Sequence, residues 1–98
     1  MSNDTDEKFY ARADAHINLA NSQLSGSDRR MVSGSMLFGA SRFSAWITAT
    51  EFKSGADMAA KRNDAIDYFT NQFRLMLEEN LDNYIEHFDS YMGAQKKP

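Results

Sequence analysis

Apolar residues recur along this chain at intervals of three and four, and they do so in three stretches. In the first, over residues 5–24, Phe9, Ala13, Ile17, Ala20 and Leu24 fall on one side of a helix. Asp4-x-x-Glu7 has the form of a capping box at its start. "SGSD" at 25–28 ends it, with Gly26 free to take the left-handed cap conformation. The second stretch covers residues 28–52 and is capped by Asp28 or Ser27. Val32, Met36, Ala40, Phe43, Trp46, Ile47 and Thr50 form one face, and Met31, Phe38, Ala45, Ala49 and Phe52 a second. Ser33, Ser41, Ser44, Thr48 and Glu51 fill the polar wedge that remains. A helix apolar around most of its circumference is buried on several sides, so this one is expected at the centre of the fold.

The third stretch follows "KSGAD" at 53–57, where Asp57 is the expected cap. From Ile66 through Phe69, Phe73, Met76, Leu77, Leu81, Tyr84, Ile85 and Phe88 to Tyr91 the apolar phase never jumps, and neither glycine nor proline interrupts it. The pattern predicts one helix over residues 57–92, about 54 Å long at 1.5 Å per residue. The first two helices would span only about 30 and 37 Å. The end of the third would therefore overhang an antiparallel three-helix bundle while carrying Leu81, Tyr84, Ile85 and Phe88. Two resolutions are open. The helix breaks near Asn80 into a short fourth helix that turns back, or the overhang packs on another copy with Asn80 as a register-setting polar residue in the seam. The unbroken phase favours the homodimer or higher oligomer.

Composition narrows the class. Ninety-eight residues, 42% hydrophobic and 26% charged, make a single helical domain over 1–98. The one proline is the last residue, which suits uninterrupted helices. With no cysteine there is no disulfide, thiolate metal site or cysteine nucleophile. The acidic "MSNDTDEK" has no apolar core of a signal peptide, and no stretch is apolar for the roughly 20 residues a membrane span needs, so a cytoplasmic protein with no membrane role is expected. Net charge is −3 and the basic residues are scattered, which argues against nucleic acid.

Candidate chemistry adds little. His16 and His87 have no carboxylate or imidazole at i±3 or i±4, so no metal and no cofactor is expected. The serines lie in no Gly-x-Ser-x-Gly elbow, and "SGSDRRMVSGS" lacks the lysine of a phosphate loop, so an enzyme is not expected. Glu79, Asp82, Glu86 and Asp89 line one side of the third helix, a solvated face or a docking surface for a basic protein. Arg42 lies among aromatics, level with Asp67 or Asp64 across an antiparallel hairpin, and is expected to pair there. Gly39, Ala40, Ser41 and Ser44 would let neighbouring backbones approach the second helix. Phe38, Phe43, Trp46, Tyr68, Phe69 and Phe73 could line a pocket for a small apolar molecule.

The runs "FYARADAHINLAN", "LFGASRFSAW" and "AIDYFTNQFRLMLEENLDNYIEHF" resemble a short, mostly proteobacterial family of uncharacterised domains. The resemblance covers nearly the whole chain and implies an all-helical cytoplasmic protein with no assigned activity and no catalytic residues to carry over. The expected role is a non-catalytic, self-associating interaction or scaffold module, with the overhang and the acidic stripe as its surfaces. The alternative is an apolar-ligand binder with an aromatic pocket between helices two and three.

Overall fold

A computed structural model describes residues 6–93, and among them every regular element is helical. α1 is Phe9–Gln23, α2 is Arg29–Ala49, α3 is Gly55–Ala60, α4 is Arg62–Glu86 and α5 is Phe88–Met92, with a 3-10 turn at Leu24–Gly26. Asp4, half of the expected capping box, lies outside the described residues.

The chain divides into two compact units between Ala40 and Ser41, inside α2. The first holds α1, the 3-10 turn and α2 as far as Ala40. Its covered positions follow the sequence pattern closely: Phe9, Ala13, Ile17, Ala20 and Leu24 are all half-buried while the rest of α1, except Asn21, is exposed. Val32 of α2 is buried in the same unit, at 7% exposure. Gly26 does not end α1 in a left-handed cap, since no described residue has positive φ. The helix tightens into the 3-10 turn instead, and Ser27 leaves it extended at φ −150°, ψ 156°. Asp28 then opens α2 as expected, its Oδ1 accepting from the Arg30 backbone N–H at 2.7 Å.

The second unit holds the remainder of α2 with α3, α4 and α5. The cap of α3 is Ser54, not Asp57: the Ser54 Oγ accepts from the Asp57 N–H at 3.1 Å, while Asp57 places its carboxylate in the first turn. The third predicted helix is three helices. It breaks at Lys61 (φ −109°, ψ 11°) and at His87 (φ −111°, ψ 27°). At each break the residue itself keeps both of its backbone hydrogen bonds. Lys61 N–H donates to the Met58 carbonyl and its own carbonyl accepts from Ala65; His87 N–H donates to Asn83 and its carbonyl accepts from Tyr91. Such single-residue kinks need no glycine or proline, so the sequence gives no warning of them. Asn80 is not a break. It sits inside α4 with its Nδ2 donating back to the Met76 carbonyl at 3.0 Å.

The all-α class stands. A bundle core does not follow from it: Val32 is the one buried side chain among the described residues.

Candidate interaction surface

Two apolar stripes and one acidic face dominate the exposed surface. The first stripe lies on α2. Phe43, Trp46 and Ile47, in the part of that helix that belongs to the second unit, share one side at steps of three and four from Phe43, and all are exposed. Phe43 and Trp46 stand at 61% exposure each, their ring centroids 5.6 Å apart. The opposite side of the same half-helix is the covered one. Ser44, Thr48 and Phe52 are half-buried, although Ser44 and Thr48 belong to the polar wedge. The Thr48 hydroxyl explains how that side can turn inward: Oγ1 donates to the Ser44 carbonyl at 2.8 Å, so the polar group is satisfied within its own helix.

The second stripe lies on α4, entirely within the second unit. Ala65, Phe69 and Gln72 are half-buried and mark the side turned toward the rest of the unit. Beside them Ile66, Phe73, Met76, Leu77 and Leu81 form a continuous exposed row, with Phe73 at 50% and Leu81 at 52%. Tyr84 ends the row, half-buried, its ring 4.8 Å from that of Tyr91 across the His87 kink. Ile85, at 72% exposure, and Phe88 flank the end of the stripe. Single exposed apolar residues are ordinary on protein surfaces, but contiguous rows of large ones mark interaction sites.

The back of α4 carries Glu79, Asp82 and Glu86, all exposed, and Asp89 follows on α5. Glu78 pairs with Arg74 at 3.6 Å, and Glu86 lies 4.0 Å from His87. No lysine or arginine occurs between residues 75 and 91.

The remaining predicted sites fare less well. The Arg42–Asp67 pair is not among the ion pairs of the described residues, and Asp64 meets Lys61 instead, at 4.0 Å on the neighbouring turn. The expected hairpin level of Arg42 assumed a straight third helix, which the Lys61 kink removes. Of the six residues named for an aromatic pocket, Phe38, Phe43, Trp46, Tyr68 and Phe73 are exposed and Phe69 is half-buried. His16 is exposed, and among the described residues no three His, Asp or Glu side chains converge as metal ligands. No helix among them is long and apolar enough to cross a membrane.

Residues 9–85 match the model of a family described as protein of unknown function (DUF3144), and the chain belongs to that family. The resemblance read from the sequence was to a family of this kind. The chain is also similar to a solved structure, the NMR structure of the protein NB7890A from a Shewanella species. The two are 36% identical, with a TM-score of 0.76, over 95% of this chain and 99% of that one. No curated protein matches. The family region ends at Ile85, so it contains both stripes whole and leaves out α5.

Proposed function

We propose that this protein is a non-catalytic, self-associating helical module whose working surfaces are the stripes of α2 and α4. One observation carries the reading. Eighteen large apolar side chains are exposed among the described residues, and one is buried. Helices in isolation are marginal in water below about 12–15 residues, and longer ones in proteins draw most of their stability from packing an apolar face. α4 is 25 residues long with most of its apolar face uncovered. A face of that kind finds its packing in another chain, and obligate oligomers join surfaces that resemble a domain core cut in half. The acidic back of α4 stays in water in such an assembly. It keeps the complex soluble and offers a basic protein partner a place to dock, an association that added salt would weaken.

Light scattering over a dilution series tests the proposal, with far-ultraviolet circular dichroism on the same samples. The expected result is a mass that is a multiple of 11.1 kDa, falling on dilution together with the helical signal. A mass of one chain at every concentration, with unchanged helicity, would overturn it.

A further inference from the structure

We draw no further inference here: the strongest candidate, the exposed apolar row along α4, belongs to the surface already described, and nothing in the structure shows what covers it.

Discussion

α1 and α4 carry the same kind of pattern and meet different fates. On α1, Phe9, Ala13, Ile17 and Ala20, with Leu24 just beyond, repeat at three and four, and all five are half-buried within their unit. On α4, Ile66, Phe69, Phe73, Met76, Leu77, Leu81 and Tyr84 repeat in the same way, and all but Phe69 and Tyr84 are exposed. Two of the five α1 positions are alanine, whereas the α4 row consists wholly of large side chains. A helical period names the side of a helix that must leave water. It does not say whether the cover comes from the same chain. The α1 face finds its cover close by in sequence. The larger α4 face finds little cover within its own chain.

The largest test of that contrast places a charge on each face. Phe73→Glu with Leu77→Glu puts carboxylates at the centre of the α4 stripe, where burial of an unpaired charge costs about 3–5 kcal/mol. The expected outcome is a single-chain mass by light scattering and a loss of helical signal. Ile17→Glu on α1 is expected to lower the melting temperature equally at low and high protein concentration, because its cover is its own unit. If Ile17→Glu changed the mass and the α4 variant did not, the roles of the two faces would be reversed. A smaller effect sharpens the same point. Val32→Ala removes two buried carbons and is expected to cost about 1–2 kcal/mol, at roughly 0.8 kcal/mol per buried methylene. Denaturant midpoints should record that loss independently of chain concentration.

What the sequence disclosed follows from what its signals measure. Periodicity measures amphipathicity, and the five apolar positions it gives the α1 face are all half-buried, with Asn21 half-buried beside them. It also carried the apolar phase through Asn80, where α4 is indeed unbroken. The kinks at Lys61 and His87 escaped because the residue at each keeps its own backbone hydrogen bonds and is neither glycine nor proline. The cap of α3 was legible and misassigned. Ser54-x-x-Asp57 has the spacing of a serine cap with an acidic residue three positions on, and the serine is the residue that caps. The inward turn of Ser44 and Thr48 was hidden because hydropathy counts a hydroxyl as polar whether or not its own helix already satisfies it.

The next effect in size belongs to that cap. Ser54→Ala is expected to cost about 1 kcal/mol through loss of the bond to the Asp57 N–H, seen as a lower denaturant midpoint with no change in mass. Ser54→Gly should cost only a few tenths of that, since water reaches the freed N–H more easily. A change of mass with Ser54→Ala would tie α3 to the assembly and weaken the assignment of the interface to α4.

The smallest effects are the most discriminating, because they differ in sign. Gly34 and Gly39 both lie inside α2, and a Cβ built at either meets nothing within 4 Å in the single chain. For an isolated helix each Gly→Ala change should therefore stabilise by about 0.5–1 kcal/mol, through helix propensity and a less disordered unfolded state. The two positions differ in where they face. Gly39 follows Met36 by three residues on one side of the helix, and Gly34 lies off that side. If a second chain packs closely on the side of α2 that holds Gly39, a methyl there pushes against it, and the gain in helicity is offset by weaker association. Gly34→Ala is accordingly expected to raise the melting temperature at all concentrations. Gly39→Ala is expected to raise it less and to shift the dilution midpoint of assembly toward higher concentration. Equal gains from both would mean that no backbone comes near α2 in the assembled state. The glycine would then be a tolerated weakness of the helix, and the α4 stripe alone would carry the association.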